Sequence, residues 1–443
     1  MKIINSDEFD LYWKSRAIIE GDPSALSAVA LSAVADNTVK EIINAVRKEG
    51  DTAVRRYAEK FDKSSPQKLE APLSEIQKAY NELKSADPEL TAALELAAMN
   101  ISRFSQMQRE QFVNFETELT PGVFTGQRII PVCRAAVYAP GGRFPLISSV
   151  LMALIPAISA GVEEILFSSP PQEDGLPDKR ILAAAAIAIK TAPPNVNIRF
   201  FAIGGAQAIA AFAFGTESVP SADVIAGPGN KYVTAAKRQL YGQAGIDFIA
   251  GPSDVLVIAD TASDAELVSI DMLAQAEHDP DARSRALVPN KEFANLTAQA
   301  IEKQLSSLPI PAHASLENGG LIIIYQNKEE AIRIANIIAP EHLELQTQDT
   351  SFWIPQLKNY GSLFIGALSA EALGDYSAGI NHTLPTSGSA RFTGGLSVRH
   401  FLKTVTTLRC EKGEGFEEAR KAAEIIARAE GLEGHAVSAN MRR

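Results

Sequence analysis

The sequence predicts an α/β protein with mostly parallel sheets. From residue 128 onward, short apolar runs of strand length alternate with apolar stretches of helical length, the pattern of βαβ units. Most of the strand-like runs end in Gly- or Ser-rich turns, where α/β proteins bind ligands. The length of 443 residues sets the scale. At roughly 100–200 residues per domain, two or three units are expected.

The elements follow in order. Residues 1–30 are mixed and weakly periodic. Val39, Ile42, Ile43, Val46, Val54 and Tyr57 recur at helical spacing, so residues 36–60 read as amphipathic helices. Residues 70–113 repeat the pattern through Leu94, Ala97, Ala98, Ile101 and Phe104. Residues 129–132 and 134–138 read as short buried strands, followed by a turn at Pro140-Gly141-Gly142. Helices are then expected at 150–160, 179–190, 205–214 and 230–241, with strands at 164–168, 196–201 and 223–226 between them. The alternation continues with strands at 255–258, 320–325 and 361–366 and helices at 264–277 and 328–338. Residues 387–396 form a Gly/Ser-rich loop, and 416–430 an Ala-rich helix bounded by Gly415 and Gly431. The stretches 128–250 and 251–370 read as separate globules of similar design.

Composition excludes several classes. Hydrophobic residues are 46% and charged residues 21%, ordinary values that rule out disorder and fibrous repeats. The net charge is −11 and no Lys/Arg-rich block appears, which argues against nucleic acid. A membrane-spanning helix needs about 18–20 apolar residues. The longest apolar stretch, from Ser148 to Val162, is shorter and contains Pro156. The N-terminus is acidic and aromatic, unlike a signal peptide. Cys133 and Cys410 are the two cysteines, which excludes a disulfide framework and fits a reducing cytoplasm. Both lie in or beside apolar runs and read as buried, inert thiols, with a thioester nucleophile as the alternative.

Four of the six histidines sit in polar, Gly-rich or acidic contexts. Gln275 and His278 close a helix at i, i+3 spacing and so share a face. Ser263 and Glu266 give that helix the form of a capping box. An imidazole and an amide oxygen can both reach one metal; His suits zinc, while Gln is an unusual ligand. A solvated helix end is the plainer alternative. Glu341 and His342 follow Pro340, which stops the preceding helix. Adjacent residues share no helix or strand face, so their convergence demands an irregular turn. Such a pair can form an acid/base couple, with His working near neutral pH and Glu handling water. A surface turn is the alternative. The segment 374–386 sets Asp375, Tyr376, Asn381 and His382 between glycines. Asp375 offers a hard oxygen ligand and His382 a hydrogen bond to substrate. Glu430 and His435, near the C-terminus, gain interest only beside these clusters. His313 and His400 have no second group beside them and read as structural.

Gly204-Gly205 opens a helix, and Gly227-Pro228-Gly229-Asn230 follows a strand and opens another. Amides at helix N-termini suit phosphates. No G-x-G-x-x-G with an acidic residue about 20 positions on is present, so the standard dinucleotide fingerprint is missing.

Together these segments resemble the histidinol dehydrogenase family. The resemblance runs from about residue 30 to the C-terminus. It is carried by Tyr138-Ala-Pro-Gly-Gly, Ser148-Ser-Val-Leu-Met, Gly204-Gly-Ala-Gln-Ala-Ile-Ala-Ala and Gly227-Pro-Gly-Asn-Lys-Tyr-Val-Thr-Ala-Ala-Lys. It continues through Ala250-Gly-Pro-Ser-Asp-Val-Leu-Val-Ile-Ala-Asp, Ala274-Gln-Ala-Glu-His-Asp, Ala339-Pro-Glu-His-Leu-Glu, the 374–386 loop and residues 431–435.

The resemblance implies a cytoplasmic enzyme of the last steps of histidine biosynthesis. It would oxidise L-histidinol to histidinaldehyde and then to L-histidine, with two NAD and one zinc ion per site. It implies two incomplete Rossmann-like parallel-sheet domains with small helical N- and C-terminal extensions. Residues 1–30 would be an extension, and 31–127 with 251–386 a first domain holding zinc and the catalytic residues. Residues 128–250 would form a second, NAD-binding domain, and 387–443 a dimerisation and zinc-ligand extension. The implied zinc ligands are Gln275, His278, Asp375 and His435, the last supplied by the other subunit of a homodimer. His342 resembles the general base of both oxidations, and Glu341 the residue that activates water. Ser148, Ser253, Tyr376, His382 and Glu430 match substrate-contact positions, beside His342 and the zinc ligands. Tyr138, Gln207 and Asn230 match NAD-contact positions. Incomplete Rossmann-like domains would explain the missing glycine fingerprint.

Two segments depart from the family pattern: Arg143-Phe144 after the Pro-Gly-Gly turn, and the more basic Arg283-Ser284-Arg285. Neither falls on a ligand or catalytic position. The competing readings are a related zinc- and NAD-dependent alcohol dehydrogenase, a zinc hydrolase using metal-bound water, and a non-catalytic dimer.

Overall fold

The computed structural model describes residues 1–20, 33–62, 64–141, 145–194, 196–306, 308 and 310–442. Arg143 and Phe144 lie outside the described residues. The chain begins with strand β1 (Lys2–Asn5) and helix α1 (Ser6–Glu20). Then follow α2 (Ala33–Glu49), α3 (Asp51–Phe61), β2 (Glu70–Ala71), α4 (Leu73–Ala86) and α5 (Pro88–Glu110). The hairpin β3 (Phe115–Thr120) and β4 (Val123–Pro131) leads to β5 (Arg134–Tyr138), α6 (Ile147–Ala160), β6 (Glu164–Ser169) and α7 (Lys179–Ile189). Next are β7 (Asn197–Ala202), α8 (Gly205–Phe214), β8 (Val224–Ala226), α9 (Lys231–Leu240) and β9 (Gly245–Ile246). A second alternation holds β10 (Asp254–Ala259), α10 (Ala265–Ala276), β11 (Arg283–Val288), α11 (Lys291–Leu305), α12 (Ile310–Gly319) and β12 (Leu321–Ile324). It continues with α13 (Lys328–Ile338), β13 (His342–Gln346), α14 (Thr350–Trp353), β14 (Ser362–Ile365) and α15 (Glu371–Tyr376). The chain ends in β15 (Leu402–Cys410), α16 (Glu414–Ala429) and α17 (Glu433–Asn440).

The two alternations form two sheets of one design. The strand order is β2-β7-β6-β5-β8-β9 in one and β1-β12-β11-β10-β13-β14 in the other. Numbered within each unit, both read 3-2-1-4-5, a Rossmann-like order with one extra edge strand. All pairs are parallel except β2 with β7. Both sheets are covered on both faces, which is why their strands are nearly continuous apolar runs. Alternate residues of β5 feed opposite cores: Ala135 and Val137 face Ile76, Leu94, Leu154 and Leu182, while Ala136 and Tyr138 face Val39, Ile43, Ile209 and Val233. In the other sheet, Leu256 and Ile258 pack with Phe9, Ile323 and Trp353, and Val255 and Val257 with Met272, Leu273 and Ala294.

Sheet membership groups the chain differently from the expected domains. Helices α2–α5 bury their apolar faces on the 128–250 sheet, while α5 also reaches the 251–386 segment through Asn100, whose side-chain amide donates to the Ser377 carbonyl at 2.8 Å. Residues 2–5, expected in an extension, supply the edge strand β1 paired to β12. Strands that close a parallel sheet edge come from distant sequence, so local periodicity carries no signal for them. The capping-box reading also shifts by one: Asp264 is the N-cap of α10, accepting from the Glu266 amide at 2.8 Å. Ser263 instead donates to the Gln346 carbonyl. Both cysteines are exposed, against the expectation of burial. Cys133 lies in the β4–β5 turn, and Cys410 ends β15 on the mostly exposed three-stranded sheet β15-β4-β3. No helix among the described residues is long and apolar enough to cross a membrane.

Candidate active site

In the 254–365 sheet the strand order reverses between β10 and β13, whose amino ends lie side by side with Val255 opposite His342. Asp254 opens β10, Glu341 immediately precedes β13, and His342 opens it. Helix α10 returns antiparallel to β10, so its C-terminal end brings Gln275 and His278 back to the same edge. Helix α15 brings Glu371 and Asp375. No irregular turn is needed to unite Glu341 and His342: one lies just outside the strand, the other on its first residue.

The side chains converge closely. His342 Nδ1 is 3.4 Å from Glu371 Oε1 and 4.0 Å from Glu341 Oε2, while its Nε2 is 3.7 Å from Asp375 Oδ1. With its nitrogen turned to the acceptors around it, the Gln275 amide donates to Glu371 Oε1 at 2.6 Å and to His342 Nδ1 at 3.3 Å. His278, Glu371 and Asp375 each offer a ligand atom, all within 4.8 Å of one another. His342 Nε2 and Asp375 Oδ1 are buried without a hydrogen-bond partner. Buried polar atoms are nearly always satisfied, so two unpaired ones here mark where a ligand belongs. Imidazole nitrogen and carboxylate oxygen are zinc donors. The residues present therefore fit that metal.

Burial sets the protonation. It pushes His342 down to about 3, aided by the imidazoles of His278 and His382. It pushes His382 down to about 4 and Asp375 up to about 7. Glu341 is held well above the usual carboxyl range by burial and then by the Asp254 charge. Glu371 is raised by burial and by the carboxyls of Asp375, Glu344 and Glu341. Three buried acids facing neutral imidazoles form a site that a cation would stabilise.

His382 joins the two sheets. Its Nδ1 lies 2.9 Å from the Asp375 carbonyl, which can only accept, so Nδ1 carries the proton and Nε2 accepts from Ser149 Oγ at 3.0 Å. Ser149 belongs to α6, packed on the other sheet. The sequence points to its half-buried neighbour Ser148; the structure places Ser149 on the histidine. Ser253 hydrogen-bonds Glu341. Tyr376 is 58% exposed. Glu430 and His435 are exposed on the C-terminal helical hairpin, and His435 is not part of the His278–Glu371–Asp375 group. The sequence reading also missed Glu371, Asp254 and the acid pair Glu344 and Asp271, both bonded by the Gln346 amide at 2.9 and 2.6 Å. Lone acids in apolar runs carry no spacing signal; only burial exposes them.

The other sheet gathers its candidates at its carboxyl ends. Tyr138 ends β5, and its hydroxyl accepts from the Gly205 amide at 3.3 Å. Gln207, in the first turn of α8, donates to Asp62 Oδ2 at 3.2 Å. Asn230 caps α9, accepting from the Tyr232 and Val233 amides. Gly227 has φ 115°, and a Cβ there would lie 2.1 Å from the Tyr138 carbonyl oxygen. Two helix N-termini and a close backbone approach form a cradle suited to a dinucleotide.

Known proteins resemble this chain along most of its length. The family model described as "Histidinol dehydrogenase" matches residues 27–443. The chain is 44% identical over 412 residues to histidinol dehydrogenase of Aquifex aeolicus, covering 92% of each. It is 43% identical over 415 residues to that of Thermus thermophilus, covering 92% of this chain and 95% of the relative. It matches the crystal structure of histidinol dehydrogenase from Elizabethkingia anophelis with TM-score 0.84 at 37% identity, over 92% of this chain and 91% of that one. With a Rossmann-like pair of sheets, an acid–imidazole cluster and matches of this extent, the chain belongs to the histidinol dehydrogenase family.

Proposed function

We propose that the protein oxidises L-histidinol to histidinaldehyde and then to L-histidine, using NAD and zinc. The observation that carries the reading is the buried, unpartnered His342 Nε2 beside Asp375 and the His278–Glu371–Asp375 group. Gln275, His278 and Asp375 would hold the metal, with His435 of a second copy as the fourth ligand. Support for that copy is the exposure of His435 outside the group, on a hairpin that also exposes Ile425, Ile426, Leu432 and Met441. Apolar faces of this kind mark interfaces. The scarcity of cysteine fits a cytoplasmic enzyme.

When bound, NAD would supply the hydride acceptor for each oxidation, and zinc would supply an anchor for the substrate's nitrogens. His342, neutral because it is buried, takes the proton of the alcohol hydroxyl in the first step and of the aldehyde hydrate in the second. Glu341 takes a proton from water as its oxygen bonds to the aldehyde carbon. His382 and Glu430 recognise the imidazole, and Ser148, Ser253 and Tyr376 border the substrate. Tyr138, Gln207 and Asn230 would hold NAD at the carboxyl ends of the other sheet. One water and two NAD are consumed per histidine formed.

The test is to incubate the purified protein with L-histidinol and NAD, before and after chelation and zinc addition. Two NADH per histidine, lost on chelation and restored by zinc, is expected. Histidinol left unoxidised by zinc-loaded, folded protein would sink the reading.

A further inference from the structure

A buried ion pair, Asp254 with Arg285, stands behind Glu341. Asp254 and Glu341 bond reciprocally: the Glu341 amide donates to Asp254 Oδ1 at 2.7 Å, and the Asp254 amide to Glu341 Oε2 at 3.0 Å. The other oxygen of Asp254, Oδ2, accepts from Arg285 Nη1 at 2.9 Å, and both side chains are about 6% exposed. The Arg285 guanidinium lies 5.5 Å from the ring of Trp13 in α1, so the N-terminal segment stands over the pair. A buried ion pair is weak evidence for stability, because apolar residues of similar volume often serve packing as well. Its placement is informative: one carboxylate is shared between a buried guanidinium and the backbone of Glu341.

We propose that Arg285 and Asp254 are positioning residues for Glu341, Asp254 fixing its carboxyl group and Arg285 neutralising Asp254 so that the adjacent carboxylate can ionise. The proposal rests on the reading of Glu341 as the group that activates water. The titratable and charged groups facing Glu341 are Asp254 with Arg285 behind it on β10 and β11, His342 on β13, and Asp375 and Glu371 on α15. Of these, Arg285 is the permanent cation. The basic Arg283-Ser284-Arg285 segment thus reaches the candidate catalytic residues through a single intervening side chain.

The test separates the two oxidations, using histidinol and histidinaldehyde as alternative substrates of the zinc-loaded enzyme. Arg285→Met should slow aldehyde oxidation about ten-fold at neutral pH, the effect of displacing its rising pH limb upward by about one pH unit. Alcohol oxidation should change less than two-fold. Asp254→Asn keeps the Oδ1 acceptor but removes the charge, so its limb should move the opposite way, to lower pH. Opposite displacements are not produced by a merely structural role, and Asp254→Asn carries the test if Arg285→Met does not fold. Unmoved limbs, or equal losses in both oxidations, would overturn the proposal. Glu341→Gln is the control. If it spares aldehyde oxidation, the reading of Glu341 fails; if it abolishes that step while the limbs stay fixed, only the positioning role fails.

Discussion

The two sheets share one strand order and use opposite ends of it. In the 128–250 unit the glycine turns and helix N-termini gather where β5, β7 and β8 finish, as expected for an open α/β sheet. In the 254–365 unit the acids and imidazoles gather where β10 and β13 begin, and where α10 returns. The difference follows from what each end offers. Carboxyl ends present backbone amides at helix N-termini, which suit phosphates. Amino ends present side chains locked between a strand start and a helix end, which suit a cluster of fixed acids and bases. Helix α6 leaves the carboxyl end of β5 and carries Ser149 to His382, so the two ends abut. A cofactor on one sheet can therefore meet a substrate on the other.

The largest expected effect tests whether the ends are separable in function. His342→Asn removes the proposed base at the amino end. General acid–base catalysis contributes roughly 10²–10⁴-fold, so kcat should fall by about that factor in both oxidations. NAD affinity, measured by fluorescence titration, should be unchanged. A matching loss of NAD affinity would mean that the two ends form one site.

The converse experiment acts on the carboxyl end. Gly227→Ala places a Cβ 2.1 Å from the Tyr138 carbonyl oxygen, at a φ that L side chains avoid. Backbone strain of about 1–3 kcal/mol and overpacking of similar size should cost about 2–6 kcal/mol together. Thermal unfolding should show that loss. NAD affinity should weaken while zinc content stays equal to the parent's. Loss of zinc with retained NAD affinity would invert the comparison.

The two ends also differed in legibility. The alternation that defines both sheets was readable from residue 128 onward, because apolar runs and glycine turns are local signals. His278, His342, Asp375 and His382 stood out because histidine in acidic or Gly-rich sequence is unusual. Their meeting was less readable: Glu341 and His342 looked incompatible until a strand boundary fell between them. Strands β11 and β13 were missed, since polar residues such as Arg283, Arg285 and Glu344 interrupt their apolar pattern. Two of them are tied to the cluster by bonds that span the fold, Arg285 to Asp254 and Glu344 to the Glu371 amide, and such partners leave no trace in local periodicity. Glu371 carried no sequence signal, and Ser149 and Asp254 lay unmarked within longer family-like segments; each matters through what tertiary packing sets beside it. The grouping of α2–α5 with the 128–250 sheet was hidden for the same reason, since their apolar faces specify burial but not a partner.

The smallest effect concerns how each end handles a buried acid. At the amino end, burial raises the carboxyls first, and for Glu341, Glu344 and Glu371 the charges of neighbouring carboxyls add to it. At the carboxyl end Asp62 stands apart from such a cluster: burial alone pushes it up to about 6, against bonds from the Gly204 amide and Gln207 that favour its charged form. Its ordinary value is 3.8. A carboxyl raised on folding contributes stability that is fully present below the ordinary value and is lost as pH rises through the folded one. The window is therefore about pH 4 to 6. Its width corresponds to about 3 kcal/mol, and about 1–2 kcal/mol remains once partial contact with water is allowed for. Asp62→Asn keeps a carbonyl acceptor for Gly204 and removes the titration. Its melting temperature should match the parent near pH 4 and exceed it by a few degrees at pH 7–8, with the gap opening across the window. A gap of the opposite sign would mean that the helix N-terminus of α8 and Gln207 outweigh burial, making Asp62 a favourable carboxylate and aligning the two ends after all.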